Sequence, residues 1–459
     1  MTRASNGSTN LASRRGSRPP GIATDGCCVT DLRPDESVFW DHVTPPETPA
    51  LPLPARTDVA VIGAGYTGLT TALHLARAGR QVTLFEAGGL GAGCSSRNGG
   101  MVGPSFHKLG VAGLTARYGA AKTLDIMGEG LRALEYFEGF VADEGLDCDL
   151  QMRGRFRGAR TRTDYEATGR ECDWLARHLG LPCEMIPEAE QHREIGSAAY
   201  RGGVVYHRDG GVHPRKLLLG LAQKAQAAGV AIHCHCPVTG LRPEGEATTL
   251  TTPQGTIVAR EVVMATNAYA DGATRAMHRR VVQIRTAAVA TKPLEAEVMR
   301  ALTPKGRMLG ESGRIFMWYR PSPDGERFIF GGRLGRPGGP AETQRRAFAT
   351  AVTRVFPQLA DVGFSHVWSG SVAYTPDHSP HLGRYDGVWL AGGYCGSGVT
   401  RSVYFGMKLA RKILGQPEAD TAFDDLGFPT VPYKPLSGLG AQLLTRWYSH
   451  LDARDLRRG

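Results

Sequence analysis

The sequence predicts an α/β fold in which a Rossmann-like domain is interrupted by an inserted domain with an antiparallel sheet. Three observations support this prediction. A strand, a glycine-rich turn, a helix and a strand follow one another from residue 58; short strands alternate with turns from residue 241 to about residue 360; and a second strand–turn–helix unit begins at residue 387. Strands that alternate with helices are typical of a parallel sheet, and short strands joined by turns of an antiparallel one. The α/β domain is therefore expected to be split around the insert.

The composition allows a large core and argues against several other classes of protein. The chain has 459 residues, of which 41% are hydrophobic. Its formal net charge is +10, but the arginines are scattered rather than gathered into a stripe, so we expect no nucleic-acid partner. Nine irregularly spaced cysteines indicate a reducing compartment. No apolar run has membrane-spanning length, and none follows "SRRGSR" as an export signal requires, so a cytoplasmic location is expected.

A metal site is not expected. The segment "HCHC", residues 233–236, has the residue types of a metal site. We predict that it lies on a strand, where successive side chains point to opposite faces and cannot converge on one ion.

The domain ranges follow from these patterns. The first 35 residues are rich in Ser, Arg, Gly, Pro and Asn without periodicity, so a disordered lead-in is predicted over 1–35. We divide the rest of the chain into the Rossmann-like domain, the inserted substrate domain and a C-terminal extension with the amphipathic segment "LLTRWYSHL". Their expected ranges are 36–110, 200–275 and 365–415 for the first, 111–199 and 276–364 for the second, and 416–459 for the third.

The segment "DVAVIGAGYTGLTTALHLARAGRQVTLFEA" predicts a dinucleotide site. Gly63, Gly65 and Gly68 form GxGxxG between a strand and a helix. The first glycine makes the turn, the second lets backbone N–H groups approach a pyrophosphate, and the third lets the helix pack on the strand. Glu86 ends the next strand, where a carboxylate accepts hydrogen bonds from a ribose diol. This unit alone does not distinguish NAD from FAD.

Two further glycine-rich segments favour FAD. The polar loop "GGLGAGCSSRNGGMVG", residues 88–103, follows Glu86 where an NAD-binding fold continues into a helix. The segment "GGYCGSGVTRS", residues 392–402, opens a helix whose N-terminus suits the negative charge of a reduced flavin. No second GxGxxG provides an NAD domain. The expected fold is therefore an FAD-binding Rossmann-like domain of the glutathione-reductase type with the inserted antiparallel-sheet domain.

With these segments the chain resembles a known superfamily, the FAD-dependent oxidoreductases that include D-amino-acid oxidase, sarcosine oxidase and glycine oxidase. Within it the chain looks most like the gamma-glutamylputrescine oxidase branch. The resemblance runs from about residue 37 to the end. It rests on "SVFW", "DVAVIGAGYTGL", "GAGCSSRNGG", "DGGVHPRKL", "VVMATNAYA", "WSGSVAYTPDHSPHLG" and "GGYCGSGVT".

In this superfamily the matching segments bind FAD, which implies cofactor contacts at the corresponding residues of this chain. These are Gly63, Gly65, Tyr66, Thr67, Gly68, Glu86, Ala87, Ser95, Ser96, Arg97, Asn98, Gly99, Gly100, Val238, Thr266, Gly393, Gly396, Ser397, Gly398, Val399 and Thr400.

The resemblance also implies the reaction. Members remove a hydride equivalent from the carbon beside an amine nitrogen and give an imine that water hydrolyses, with the flavin as first acceptor. Sarcosine oxidases tether FAD through a Cys where this chain has Val372, so non-covalent FAD is expected. Their lysines for oxygen activation and for the substrate carboxylate align with Ile329 and Thr400. The resemblance implies that the gamma-glutamylputrescine oxidase branch, which the chain looks most like, also lacks these two lysines.

Four residues are candidates for contact with the substrate. Tyr374 matches an active-site Tyr of the superfamily, and Arg333 falls where another substrate-facing side chain occurs. Tyr319 lies on a strand of the inserted sheet that should cover the flavin, and Arg401 follows the second glycine-rich turn, where a cation suits an anionic group.

Three functions remain open from the sequence. The first is oxidation of a small amine or amino acid with O2 as acceptor. The second is a dehydrogenase of the same fold that passes electrons to a quinone or a flavoprotein, motivated by the missing lysine. The third is a basic protein that binds nucleic acid or a membrane and keeps a structural flavin, motivated by the charge and the amphipathic C-terminal segment.

Overall fold

The computed structural model describes residues 35–46, 51–104, 106–334 and 339–458. The predicted disordered lead-in, apart from Asp35, lies outside these residues. The described α-helices, in chain order, are α1 Tyr66–Arg77, α2 Gly110–Asp143, α3 Arg162–Leu179, α4 Pro214–Ala227, α5 Arg275–His278, α6 Ala296–Leu302, α7 Ala341–Val355, α8 Val399–Leu414 and α9 Ser437–Arg458.

The described strands form two large sheets and one small one. In chain order they are β1 Arg56–Ile62, β2 Val82–Phe85, β3 Met101–Val102, β4 Arg155–Gly158, β5 Cys183–Ile186, β6 Gly203–Tyr206, β7 Gly210–Gly211, β8 Ala231–His233, β9 Gly240–Glu244, β10 Ala247–Thr252, β11 Gly255–Met264, β12 Val282–Thr291, β13 Met308–Glu311, β14 Met317–Pro321, β15 Phe328–Gly332, β16 Phe364–Tyr374, β17 His381–Tyr385 and β18 Val388–Gly392.

The first sheet has a parallel centre in the order β18-β11-β1-β2-β8. Strand β17 extends it antiparallel at one edge, and the hairpin β9–β10 pairs with the first half of β11. Ile62 of β1 lies opposite both Phe85 of β2 and Met264 of β11, and Met264 lies opposite Leu390 of β18. The loops that follow these four strands therefore meet at one edge of the sheet.

The second sheet follows the order β16-β12-β15-β14-β13-β4-β6-β5 and is antiparallel except between β13 and β4. One of its faces packs on a core that includes Phe156, Phe328, Phe330, Phe348 and Phe356, all without exposed surface. The other face is turned toward the first sheet's loop edge. The predicted fold class, an α/β domain with an inserted antiparallel-sheet domain, is confirmed by this architecture.

Helix α8 packs directly on α1 because Gly406 leaves room for it. A Cβ at Gly406 would lie 2.7 Å from the Thr70 Cβ and 2.8 Å from the Thr67 carbonyl oxygen. This close approach packs α1 against α8, two helices more than 300 residues apart in the chain.

One expectation about strands needs correction. The strand with "HCHC" ends at His233, and His235 has a positive φ of 52°, so the segment leaves the sheet in a turn instead of continuing with alternating faces. Strands β6 and β16 belong to the second sheet, although the expected ranges group them with the Rossmann-like domain. Within the described ranges, no group of three or more His, Cys, Asp or Glu is arranged to hold a metal ion.

Candidate active site

The first glycine-rich turn joins β1 to α1 against the loop that follows β11. Gly63 has φ +104°, and a Cβ there would lie 3.0 Å from the Ala265 carbonyl oxygen. Gly68 is the third residue of α1, and a Cβ there would be 2.0 Å from the Gly63 carbonyl oxygen. Side chains are therefore excluded at both positions, by the conformation at Gly63 and by the backbone contact at Gly68.

Glu86 lies at this turn. Its carboxylate accepts hydrogen bonds from the backbone N–H of Ala64 at 2.9 Å and of Gly88 at 3.0 Å. Its carbonyl oxygen accepts a hydrogen bond from Cys236 at 2.9 Å, which brings the segment that leads to the buried Val238 alongside. The predicted acidic residue therefore lies at the glycine-rich turn, and the segment that leads to Val238 runs beside it.

The loop after β2 is held by two buried tryptophans. Trp368 of β16 donates its indole N–H to the Arg97 carbonyl oxygen at 2.8 Å, and Trp40 donates to the Asn98 carbonyl oxygen at 3.0 Å. The Asn98 side-chain oxygen accepts from the backbone N–H of Gly100 at 2.7 Å. Consecutive residues of the loop are thus fixed by the residues that precede β1 and by the second sheet.

The same loop contacts the start of α1 and the face of the second sheet. The Ser95 hydroxyl accepts a hydrogen bond from the Tyr66 backbone N–H at 3.3 Å, and Arg320 donates to the Gly99 carbonyl oxygen at 3.0 Å. A Cβ at Gly99 would be 2.7 Å from the Trp318 ring. The loop therefore lies between the two sheets, with room for backbone alone at Gly99.

The second glycine-rich turn, after β18, reaches the same edge. Its Gly393 N–H donates to the Asn267 side-chain oxygen at 2.9 Å, beside the predicted Thr266. The hydroxyls of Tyr394 and Thr67 lie 2.6 Å apart. The turn ends at Gly398, the N-cap of α8, and the side-chain oxygen of Thr400 accepts from the Gly103 N–H at 3.4 Å. Three segments that are distant along the chain are thus brought together.

These segments fit an FAD cofactor. The Arg97 side chain is 6% exposed, and its Nη1 has no hydrogen-bond partner among the described residues. The buried Thr266 hydroxyl likewise lacks a partner within the described part of the chain. A buried guanidinium and hydroxyl without partners are costly unless a ligand satisfies them. Phosphate and ribose oxygens are such ligands. The first N–H groups of α1, after the N-cap Gly65, lack partners within the helix and suit a phosphate.

A cavity of about 720 Å³ lies between these loops and the second sheet. Strand β16 supplies its wall with every second residue, namely Trp368, Gly370, Val372 and Tyr374, because alternate side chains of a strand share a face. Seven of the predicted site residues line it: Arg97, Asn98, Gly99, Arg333, Tyr374, Gly396 and Ser397. The turn at Gly63, Glu86, Val238 and Thr266 lie outside its lining.

Arg333 and Tyr374 form one unit in this wall. The guanidinium carbon of Arg333 lies 4.7 Å from the centroid of the Tyr374 ring. Burial raises the pKa of the Tyr374 hydroxyl, and the neighbouring Arg333 opposes only part of that rise. A Cβ on Gly396 would lie 3.7 Å from this hydroxyl, so the tyrosine reaches the second glycine-rich turn. The pair presents a cation and a protonated hydroxyl to the cavity.

Lys108 is a cavity residue that the sequence analysis missed. Its ammonium nitrogen lies 5.1 Å from the Phe316 ring centroid and 4.0 Å from a Cβ built on Gly396. The residue is exposed, and desolvation by the protein around the cavity lowers the pKa of its ammonium to about 8. Arg333, Arg157 and Arg155 also lower the pKa of Lys108. The cavity therefore has a predominantly cationic wall.

Two predicted substrate contacts are not brought to the cavity. Tyr319 is fully buried on the opposite face of β14, where its hydroxyl lies 2.5 Å from that of Tyr200. Its neighbour Trp318 faces the cavity instead, since side chains alternate along a strand. Arg401 is buried on α8 over the Phe423 ring and does not line the cavity. The structure therefore places both side chains away from the cavity wall.

The position aligned with the oxidase lysine is also away from the cavity. Ile329 has no exposed surface and packs in an apolar cluster with Trp40 and Trp368. A charge at this position would be buried among apolar side chains.

Comparison with known proteins identifies the family. Residues 58–412 match the model of the family described as DAO, FAD dependent oxidoreductase. The chain is 30% identical over 403 residues to a probable oxidoreductase OrdL of Rhizobium meliloti, covering 86% of this chain and 92% of that protein. It is 28% identical over 383 residues to gamma-glutamylputrescine oxidoreductase of Escherichia coli, covering 83% and 88%. A D-amino acid dehydrogenase of Cereibacter sphaeroides is 26% identical over 421 residues, covering 80% and 94%.

The solved structure of glycine oxidase from Geobacillus kaustophilus has the same fold. It superposes with a TM-score of 0.68 at 22% identity, over 83% of this chain and all of that one. The resemblance inferred from the sequence motifs and the expected cofactor, FAD, are both confirmed. The chain belongs to the DAO family of FAD-dependent oxidoreductases.

Proposed function

We propose that this protein oxidises the C–N bond of an amine or amino acid to an imine, which water then hydrolyses, with O2 as the electron acceptor. One observation carries the proposal: the cavity between the three cofactor loops and the second sheet is lined by the Arg333–Tyr374 pair. The similarity to gamma-glutamylputrescine oxidoreductase and to glycine oxidase supports a C–N donor.

In this proposal the cofactor loops hold FAD and the second sheet holds the substrate. Bound FAD supplies the acceptor for the hydride equivalent taken from the carbon beside the nitrogen. The Gly63 turn and Arg97 would hold the pyrophosphate, and Glu86 the adenosine ribose. The tryptophan-anchored loop and the second glycine-rich turn leave backbone at the cavity surface, which suits a flat ring system.

Arg333, Tyr374 and Lys108 would bind and orient the substrate. The raised pKa of Tyr374 keeps its hydroxyl protonated at neutral pH, so it can donate a hydrogen bond to a carboxylate. Arg333 and Lys108 supply positive charge at the same wall. Fixing an anionic group here would orient the opposite, amine-bearing end of the molecule toward the cofactor loops. We also propose that FAD is bound non-covalently. Val372, which stands where sarcosine oxidases have the tethering Cys, lies in the cavity wall and has no thiol.

A second candidate is a dehydrogenase that passes electrons to a quinone or a flavoprotein. The position that carries the oxygen-activating lysine in the oxidases is Ile329, which is buried among apolar side chains. The similarity to D-amino acid dehydrogenase also favours this candidate.

The experiment that tests both is anaerobic reduction followed by reoxidation. The purified flavoprotein is mixed without oxygen with polyamines, glutamylated amines, N-methyl amino acids and D-amino acids, and loss of flavin absorbance is recorded. Reduction by one class, ammonia or amine release, and fast reoxidation in air support the oxidase. Fast reoxidation by a quinone but not by air favours the dehydrogenase. No reduction by any C–N donor contradicts both.

Two further proposals concern the location of the protein and its division into domains. The irregular spacing of the nine cysteines supports the expected cytoplasmic location. We also propose that each large sheet is the centre of one domain, with β6 and β16 included in the substrate domain.

A further inference from the structure

The C-terminal segment, residues 433–456, carries most of the exposed large apolar side chains of the described residues. Of the ten large apolar side chains exposed among the described residues, seven lie between residues 433 and 456. They are Tyr433, Leu436, Leu439, Leu443, Leu444, Trp447 and Leu456. Apolar side chains this concentrated mark an interaction surface, whereas single ones are normal on any protein.

Helical spacing puts three of the exposed apolar residues of α9 on one face, which we call the outer face. Leu439, Leu443 and Trp447 are four residues apart and are 58%, 56% and 56% exposed. Arg454 lies seven residues after Trp447, and Arg457 lies three residues after Arg454, so both continue the same face. Both are also exposed. The outer face is therefore apolar in its first half and basic in its second half.

The opposite side of α9 is bound to the enzyme. Asp452 is 7% exposed and accepts hydrogen bonds from the side chain of Arg314 at 2.9 Å and from the Ile315 N–H at 2.8 Å. Asp455 accepts from the same Arg314 at 2.8 Å, and Tyr448 lines the cavity. Both acidic residues of the helix are thus paired with Arg314. Asp455 also pairs with Arg454 at 3.4 Å, and Arg454 and Arg457 both remain exposed.

The distribution of charge on α9 indicates which kind of partner can cover its outer face. Two copies that paired through the outer face would either bring their arginines together or bury them against leucines, and neither arrangement compensates the charge. An anionic lipid surface satisfies both halves, because leucine and tryptophan enter the boundary of the acyl chains while arginines bind headgroups. The formal net charge of +10 acts in the same direction.

We propose that the outer face of α9 binds the protein peripherally to anionic phospholipid membranes. The helix lies along the surface and does not cross it. Among the described residues no helix combines the length and hydropathy that a crossing needs. This binding is independent of the substrate and of the electron acceptor.

The test is flotation of the full-length flavoprotein with vesicles. Vesicles of phosphatidylcholine alone are compared with vesicles in which about a third of the lipid is phosphatidylglycerol. We expect flotation with the anionic vesicles only and weaker flotation at about 0.5 M salt. Brominated lipids should quench tryptophan emission, and the quenching should be lost in Trp447→Phe.

Two sets of variants assign the binding to the outer face. Leu439→Gln with Leu443→Gln and Trp447→Gln should weaken partition into anionic vesicles by about tenfold or more. The matched control is Leu51→Gln with Leu124→Gln, two leucines that are 40% and 39% exposed elsewhere. It should bind as the wild type does. Flavin absorbance and the melting temperature of each variant check that it is folded.

Three outcomes would overturn the proposal. The first is wild-type protein that does not bind anionic vesicles, or binds neutral ones equally. The second is a triple variant that binds as strongly as the wild type. The third is a wild-type dimer in sedimentation velocity, without vesicle binding, that the triple variant converts to monomer; the outer face would then belong to a second copy of the chain.

Discussion

The Arg333 guanidinium stacks on the Tyr374 ring, 4.7 Å from its centroid, and both side chains face the cavity between the cofactor loops and the second sheet. The contact joins the end of β15 to the end of β16, two strands that lie on either side of β12 in the sheet. Because the arginine has this fixed support, its position depends on the tyrosine, and each is expected to matter for substrate binding.

Arg333→Met is expected to raise KM for a carboxylate-bearing amine by about tenfold to a hundredfold, because a charge-assisted hydrogen bond is lost. The reduction rate at saturating substrate should change much less. Steady-state kinetics and anaerobic reduction measure the two effects separately. Arg384→Met is the matched control, since Arg384 stacks on Trp389 at 5.8 Å on the surface. Equal effects of the two substitutions would contradict a role for Arg333 in binding.

Lys108 predicts a pH dependence of substrate binding. Its pKa is lowered from 10.5 to about 8, so the side chain is charged below about pH 8 and neutral above it. The affinity for an anionic substrate or inhibitor should therefore fall as the pH rises through 8. Titration of the flavin spectrum with the ligand at several pH values measures this affinity.

Lys108→Met should remove the inflection near pH 8 and weaken binding below it. The control is Lys122→Met, since Lys122 pairs with Asp425 on the surface. An inflection that persists unchanged in Lys108→Met would assign the titration to another group.

Trp368→Phe is expected to weaken FAD binding, because the Arg97 carbonyl oxygen loses its indole donor. A hydrogen bond of this kind contributes about 1 kcal/mol, which corresponds to about fivefold in the dissociation constant. Trp40→Phe should have a similar effect through Asn98. Release of flavin fluorescence on dilution measures the affinity.

Trp389→Phe is the control for both substitutions. It removes an indole hydrogen bond of similar length, 2.9 Å to Glu261, on the first sheet. If all three variants retain FAD equally well, the tryptophans do not position the loop.

Gly68→Ala should prevent assembly of the dinucleotide turn. The added Cβ would be 2.0 Å from the Gly63 carbonyl oxygen, a backbone atom that cannot move without displacing β1 from the loop after β11. We expect protein that is isolated without FAD or with a strongly lowered melting temperature. Gly139→Ala in α2 is the control, because nothing lies within 4 Å of its added Cβ. There alanine should be neutral or stabilising by about 0.5–1 kcal/mol.

Local patterns in the sequence predicted the parts of the site that are local in the fold. The Gly63 turn, α1, β2 and Glu86 follow one another within 30 residues, and their mutual contacts are set by chain connectivity. The structure has α1 over Tyr66–Arg77 and Glu86 directly after β2, as the pattern indicated. The FAD-dependent family followed from the order of such segments.

The parts that were missed depend on which face a residue occupies. In "FMWYR" every residue except the arginine is apolar or aromatic, so the alternation that distinguishes Trp318 from Tyr319 could not be read. Lys108 follows β3 in an irregular segment, and nothing in the sequence relates it to Gly396. The charged Arg320 is buried because it donates to the carbonyl oxygens of Gly99 and Val212, contacts 221 and 108 residues away.

Trp40 and Trp368, which donate hydrogen bonds to the loop at residues 97 and 98, determine when during synthesis the protein can bind FAD. Trp40 leaves the ribosome before the first strand, but Trp368 and the turn that begins at Gly393 emerge only when most of the protein has been synthesised. A nascent polypeptide that stops before residue 365 lacks the second anchor, so we expect it to retain no flavin. Acquisition of the prosthetic group is then one of the last steps of biogenesis, and a cell short of riboflavin would accumulate finished apoprotein instead of stalled intermediates.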